Sequence, residues 1–169
     1  DARGTPRIVG GTQTAPGHYP WQVALISEDD YQFCGGTLVA RQWVLTADHC
    51  EADTTTWVRL QSNDLLTGPS RTVTQVIRHP QADAQGDDAT LRYDVALLKL
   101  SAPVDDARPL LVASSSESSI WQAGKLLTIT GWGETEDDST PWNLLREARV
   151  PRVADATCTS LIGPWFHQP

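Results

Sequence analysis

Between residues 21 and 100 the sequence contains six short runs rich in apolar, β-branched and aromatic residues. They are Trp21 to Ile26, Phe33 to Val39, Trp43 to Ala47, Trp57 to Leu60, Thr72 to Arg78 and Asp94 to Leu100. Such runs, with Gly, Pro, Asn and Asp between them, are typical of antiparallel barrels and sandwiches. No helical heptad pattern competes with this interpretation. We therefore predict an all-β fold.

The pattern changes after residue 100. Residues 101–120 open with Ser101-Ala102-Pro103 and include the nearly featureless run Ser114 to Ser119, which indicates an interdomain linker laid over a surface. Two more strands are predicted at Lys125 to Trp132 and Leu145 to Val153, joined by an acidic loop at Glu134 to Ser139. We expect these strands to belong to a second domain that has begun and is not finished by residue 169.

Composition narrows the possible partners. Hydrophobic residues make up 40% and charged residues 20% of the chain, as in ordinary globular proteins. No apolar run approaches the ~18 residues of a membrane span. The net charge of -8 disfavours binding to nucleic acid or anionic lipid, which requires clustered Lys and Arg. We expect neither a nucleic-acid partner nor a membrane partner.

The run that ends at Ala47 is followed directly by Asp48-His49-Cys50. A strand that delivers an imidazole to its own end can hold a base in place, although an isolated histidine is more often structural than catalytic. Cys34 and Cys50 lie 16 positions apart (50 − 34) on neighbouring predicted strands, which makes a crosslink between them plausible. Such a link would fix the backbone beside the imidazole. With three cysteines in the chain, Cys158 is left without a partner.

Asp94 stands at the start of an apolar run that continues to Leu100. Two interpretations are open for its carboxylate. It can be a solvated acid at the end of a strand, or it can lie within reach of a histidine. In the second case it would fix the imidazole tautomer and stabilise the imidazolium.

Six segments taken together resemble the trypsin/chymotrypsin family of serine proteases. They are Ile8-Val9-Gly10-Gly11, Pro20-Trp21-Gln22-Val23, Cys34-Gly35-Gly36-Thr37-Leu38, Leu45-Thr46-Ala47-Asp48-His49-Cys50, Asp94-Val95-Ala96-Leu97-Leu98 and Gly131-Trp132-Gly133. They follow the order of the family and extend from Ile8 to about Cys158. The interval from His49 to Asp94, 45 positions (94 − 49), also equals that of the family.

The resemblance implies a double six-stranded antiparallel β-barrel, with the first barrel complete and the second only begun. Residues 1–7 would be an activation peptide and residues 8–100 the N-terminal barrel. Residues 101–120 would be the interdomain linker and residues 121–169 an incomplete C-terminal barrel.

The resemblance also implies a secreted serine endopeptidase made as a zymogen and acting on protein or peptide substrates. His49 would be the general base and then the general acid, and Asp94 its orienting carboxylate. Arg7 and Ile8 would flank the bond that an activating protease cuts, because Arg7 directly precedes the Ile-Val-Gly-Gly segment. The freed Ile8 amine would pair with an acid of the second domain.

The family nucleophile has no counterpart here. A serine about 93 positions after Asp94 would fall near ~187, and no Gly-Asp-Ser-Gly segment occurs in the 169 residues. We therefore expect the 169-residue chain to be inactive by itself. Two alternatives stay open, a non-catalytic homologue that binds other proteins and a truncated product without function.

Further departures concern Asp48, Cys158 and metal binding. Asp48 replaces a small apolar residue of the family; buried beside His49 it would favour the imidazolium and weaken the base, whereas in solvent it would do little. Cys158 matches a family cysteine and is either an inert buried thiol or half of a lost disulfide. We expect no cofactor, no zinc site at Cys34, His49 and Cys50, and no calcium site, because residues 61–70 contain only one acid, Asp64.

Overall fold

The computed structural model describes residues 11–82, 93–133 and 141–162. Within them the strands are β1 Thr12–Gln13, β2 Gln22–Ile26, β3 Gln32–Ala40, β4 Trp43–Thr46, β5 Trp57–Leu60, β6 Ser70–Arg78, β7 Ala96–Leu100, β8 Leu126–Gly131 and β9 Arg146–Pro151. Helix α1 covers Asp155–Ile162, and two 3₁₀ segments cover Asp48–Cys50 and Ser115–Trp121.

Strands β2 to β7 form a closed antiparallel barrel in the order β2-β3-β4-β7-β6-β5. Each of the six runs predicted between residues 21 and 100 forms one of these strands. The largest differences are at β6, which begins two residues earlier at Ser70, and at β7, which begins at Ala96 and leaves Asp94 outside the strand. The prediction of an all-β fold with a complete antiparallel barrel is confirmed.

The barrel core is built by inward-facing residues that alternate along the strands. On β7 the buried residues are Ala96, Leu98 and Leu100, and on β5 they are Val58 and Leu60. Strand β2 is buried along its whole length. This continuous burial arises because Val23 and Leu25 pack in the main core, while alternate residues of the strand pack in a second cluster that Trp132 partly covers. The main core consists of Val23, Leu25, Leu38, Val44, Ala52, Val58, Leu60, Val73, Leu98, Leu100 and Val104.

A second sheet of the described residues has the order β1-β9-β8. Both strands predicted after residue 120 are present, and β8 pairs with β9 from Leu126↔Pro151 to Gly131↔Arg146. A backbone hydrogen bond joins the residues before β9 to the loop between β5 and β6 of the barrel: the Leu65 N–H donates to the Asn143 carbonyl at 2.8 Å. Leu145 is buried there at 1% exposure.

Four elements of the described residues were not predicted, the first being the 3₁₀ turn Asp48–Cys50. Strand β1 has two residues and exists only through its pairing with β9. Helix α1 follows the last predicted strand. The Ser115–Trp121 segment lies in the predicted linker and starts with a capping box, in which Ser114 and Glu117 bond each other's backbone N–H groups.

Three predictions fall outside the described residues: the activation peptide at residues 1–7, the activation site at Arg7 and Ile8, and the acidic loop at Glu134 to Ser139. Helix α1, with eight residues, is too short to cross a membrane, and no other helix in the described ranges is long and apolar enough to do so.

Candidate active site

His49 is presented by a short turn at the end of β4. Ala47 is still extended, with φ −78° and ψ 147°, and the chain then enters the 3₁₀ turn Asp48–Cys50. Glu51 closes the turn in the left-handed region, at φ 51° and ψ 28°, and its N–H donates to the Asp48 carbonyl at 2.9 Å. The His49 side chain is 53% exposed. It is thus held by a closed turn while solvent and solutes can reach the ring.

Asp94 reaches this turn because β7 is the neighbour of β4. The two strands are antiparallel, with Thr46 opposite Ala96, so the residues just after β4 meet the residues just before β7. Both carboxylate oxygens of Asp94 are used: Oδ2 lies 2.7 Å from His49 Nδ1, and Oδ1 accepts the His49 backbone N–H at 2.8 Å. Of the two interpretations of Asp94, the one that places it within reach of the histidine agrees with this geometry.

The carboxyl group of Asp94 is held in its ionised form. Burial, the largest single effect, would raise its pKa, since the side chain is only 22% exposed. The hydrogen bonds from the His49 backbone and ring, the charge of His49 and the backbone N–H of Asp48 together outweigh burial and lower the pKa of Asp94. An ionised carboxylate therefore faces the imidazole.

This geometry selects one tautomer of His49. A carboxylate only accepts hydrogen bonds, so Nδ1 carries the proton that lies between the ring and Asp94. In the neutral ring Nε2 then holds a lone pair and can take a proton from a nucleophile. The pair has the composition and spacing of a general base with its orienting acid.

The turn that carries His49 is also crosslinked to strand β3. Cys34 of β3 and Cys50 of the turn form a disulfide with an S–S distance of 2.01 Å, which confirms the predicted crosslink. The Thr46 hydroxyl donates to the Gly35 carbonyl at 2.8 Å in the same region. The backbone on both sides of His49 is thus tied to β3.

The disulfide also bears on metal binding. Ligand atoms of Cys34, His49 and Cys50 lie within 4.8 Å of one another, a spacing that could suit a metal ion. However, both sulfurs are bonded to each other, and zinc requires deprotonated thiolates. Among the described residues this group does not provide a zinc ligand set.

Of the two environments considered for Asp48 from the sequence, the structure agrees with the buried one, but with a cationic partner that was not considered. The Asp48 side chain is only 14% exposed, and its Oδ1 accepts a hydrogen bond from Arg78 Nη1 at 2.6 Å. The carboxylate is therefore paired with a cation. Sequence reasoning missed Arg78, whose only signal was its place at the end of a predicted strand.

The other predicted site residues lie apart from His49. Cys158 is on helix α1, partly buried, and forms no disulfide within the described part of the chain. Asp64 uses one carboxylate oxygen to accept the Leu66 N–H at 2.9 Å and the Asn143 side-chain amide at 2.7 Å. These hydrogen bonds lower the pKa of Asp64. Arg7 and Ile8 lie outside the described residues.

Comparisons with known proteins identify the family of the chain. The family model described as Trypsin matches residues 8–165. Serine protease 56 of Mus musculus is 36% identical over 173 residues, covering 94% of this chain and 26% of the relative. Trypsin 5G1 of Aedes aegypti is 36% identical over 162 residues, covering 92% of this chain and 59% of the relative.

Among solved structures, neuropsin, a serine protease expressed in the limbic system of mouse brain, superimposes with a TM-score of 0.82 at 28% identity. That match covers 95% of this chain and 71% of neuropsin. The chain spans less than two thirds of the length of Serine protease 56 and of Trypsin 5G1. Since the family model covers nearly all of the sequence, the chain belongs to the trypsin family of serine proteases.

Proposed function

We propose that the protein of which these residues form part is a trypsin-like serine endopeptidase made as a zymogen. The observation that carries this proposal is the double hydrogen bond of His49, ring and backbone, to the two carboxylate oxygens of Asp94. His49 acts as general base and then as general acid, and Asp94 is its orienting carboxylate.

In this reaction Nε2 of His49 takes the proton of a serine hydroxyl while the serine oxygen bonds to the carbonyl carbon of a peptide. His49 then gives that proton to the peptide nitrogen, whose bond to the carbonyl carbon breaks, leaving an acyl-enzyme. A water molecule then gives a proton to His49 while its oxygen bonds to the carbonyl carbon of the acyl-enzyme. His49 returns this proton to the serine oxygen, whose bond to the carbon breaks, and the carboxylic acid leaves. Asp94 stays ionised throughout, in keeping with its lowered pKa, and stabilises the imidazolium.

The nucleophile is supplied from outside the 169 residues, which contain no Gly-Asp-Ser-Gly segment. The 169-residue chain alone is therefore inactive. Activation consists of cleavage between Arg7 and Ile8 by another protease. The disulfide Cys34–Cys50 supports an oxidising, extracellular location, because such bonds persist outside the reducing cytosol. Protein or peptide substrates are the partners, and no cofactor takes part.

The test uses an active-site-directed fluorophosphonate probe. Recombinant residues 1–169 should remain unlabelled, whereas a natural product that continues through Gly-Asp-Ser-Gly-Gly should be labelled once its N-terminus, read by sequencing, is Ile8. In that product His49→Ala should lower kcat by about 10⁶, the size of loss reported for a catalytic histidine in such a triad. Stoichiometric labelling of residues 1–169 would refute the assignment of the nucleophile.

The alternative to this proposal is a non-catalytic homologue that binds proteins. Mass spectrometry of the natural protein distinguishes the candidates. A soluble monomer that ends at Pro169 and does not label would favour the binding protein. Insoluble material of the same length would favour a product without function, because unpaired strand edges associate.

A further inference from the structure

Two neighbouring residues of the turn that carries His49 are held by partners of opposite charge. The His49 ring is hydrogen-bonded to Asp94, and the Asp48 carboxylate is hydrogen-bonded to Arg78. Arg78 is the last residue of β6 and lies opposite Ala96 of β7, two positions after Asp94. The same strand pair therefore positions both partners.

The guanidinium of Arg78 contacts the backbone both before and after His49. Nη1 donates to Asp48 Oδ1 at 2.6 Å and to the Asp48 carbonyl at 3.1 Å, and Nη2 donates to the Ala52 carbonyl at 3.3 Å. His49 lies between these acceptors in the chain. Ala52 is buried at 4% exposure and packs in the barrel core, so the contact with its carbonyl joins Arg78 to a fixed part of the backbone. The planar fork of the guanidinium suits simultaneous binding of both carbonyls and the carboxylate.

The charge of Arg78 also matters for Asp48. At 14% exposure the Asp48 carboxylate is poorly hydrated, and a buried charge without a partner is costly. Arg78 is 43% exposed, so water and salt screen its long-range field. Its effect on the turn therefore arises mainly from the short hydrogen bonds, which keep the Asp48 carboxylate paired.

We propose that Arg78 is a positioning residue for His49, which holds the Asp48–Ala52 backbone and pairs the Asp48 carboxylate so that an acid is tolerated beside the base. This inference rests on the proposed function in one respect, that His49 is the base. Its test reads the His49–Asp94 hydrogen bonds directly, so it stands or fails independently of whether the protein hydrolyses peptides.

The test is hydrogen exchange by NMR on the ¹⁵N-labelled 169-residue chain, following the His49 backbone amide and its Nδ1 proton, both bonded to Asp94. In Arg78→Met we expect both to exchange about tenfold faster, because the turn opens more often. Arg78→Lys, which keeps the charge but not the fork, should give an increase of about threefold. Amides of the barrel strands should be unchanged in both variants.

The matched control is Arg71→Met on the same strand, since the Arg71 guanidinium donates to the neighbouring Ser70 carbonyl at 2.8 Å and not to the turn. It should leave the two His49 protons unchanged. Equal exchange in Arg78→Met and Arg71→Met would overturn the proposal, as would a uniform acceleration over the whole barrel, which marks a merely structural role. If Arg78→Met does not fold, Arg78→Lys decides alone: no selective acceleration at His49 would overturn the proposal.

Discussion

Gly36 of β3 offers a sharp test of how closely β3 packs against β4, the strand that leads to the turn with His49. A methyl group on Gly36 would lie 2.7 Å from Val44 Cγ1, 3.0 Å from the Leu45 carbonyl oxygen and 3.3 Å from Leu25 Cδ1. Val44 and Leu25 are fully buried, and Leu45 belongs to β4, the strand that leads to His49. The adjacent Gly35 is the natural control, because its added methyl would meet its nearest neighbours only at 3.6 and 3.7 Å.

The expected magnitude follows from these contacts. Val44 is β-branched and cannot rotate away easily, and a backbone carbonyl moves only with its strand, so Gly36→Ala forces β4 outward. Overpacking of this kind costs about 1–3 kcal/mol. Replacing Gly by Ala in a strand regains about 0.5–1 kcal/mol of conformational entropy, equally at both positions. The difference between the two variants should therefore equal the overpacking cost, about 1–3 kcal/mol, with Gly35→Ala the more stable.

The measurement is urea-induced unfolding of both variants, followed by the fluorescence of the tryptophans, of which the chain has 7. The m values should be equal, so that the midpoints report stability alone. In thermal unfolding the difference should appear as about 2–4 °C per kcal/mol for a chain of this size. Equal stability of the two variants within about 0.5 kcal/mol would refute the close approach of β3 and β4.

Two further predictions concern the turn that carries His49. Replacing Cys34 and Cys50 together by alanine should lower the free energy of unfolding by about 3 kcal/mol. The control Cys158→Ala removes no crosslink and should leave the free energy of unfolding unchanged. Equal urea midpoints of the double variant and the control would contradict this prediction. Because the native pKa of Asp94 lies below its ordinary 3.8, its carboxylate stabilises the fold above that pH, and this stabilisation is lost as the pH falls through the lower native value. The stability difference between wild type and Asp94→Asn should therefore shrink in acid; a constant difference down to about pH 2 would contradict it.

The barrel could be predicted from the sequence because each strand carries its own signal. The runs from Trp21 to Leu100 are apolar, short and bounded by turn residues, and their structural ends differ from the predicted ends by only a few positions. Strand β1 could not be predicted, since two residues contain no periodicity and the strand forms by pairing with β9. The capping box at Ser114 and Glu117 had a signal, the S-x-x-E spacing, which the Ser-rich composition obscured.

Helix α1 was missed for a different reason. Its eight residues, Asp155–Ile162, include two threonines, a serine and a cysteine, all weak helix formers, and they show no strong apolar face. The helix is supported locally instead. Asp155 lies in the first turn, where a negative charge is favourable, and its carboxylate accepts a hydrogen bond from Arg152, which precedes the helix. Such contacts become visible only in three dimensions.

The residues of the candidate site also differ in whether the sequence could predict them. His49 and Asp94 could be proposed from their segments and their interval, because both lie at the ends of recognisable strands. Arg78 could not, because its role depends on which strands are neighbours. Nothing in the run Thr72 to Arg78 indicates that its last residue reaches a turn 30 positions away.

The strand order explains why these residues converge. In the barrel β7 lies between β4 and β6 and is antiparallel to both, so the ends of β4 and β6 lie at the same rim as the start of β7. The register then decides the fine placement. Val73 lies opposite Leu100, but Gln75 lies opposite Lys99, so one extra residue, Thr74, is accommodated in β6.

That irregularity places Arg78 opposite Ala96. Had the register of Val73 continued unchanged, Arg78 would lie opposite Val95. A shift of one position turns a side chain to the other face of the sheet, because the side-chain period of a strand is two residues. The guanidinium would then leave Asp48, while His49 and Asp94, which depend on the β4–β7 pair, would stay in place. The extra residue in β6 therefore places the Arg78 guanidinium where it pairs the acid next to His49.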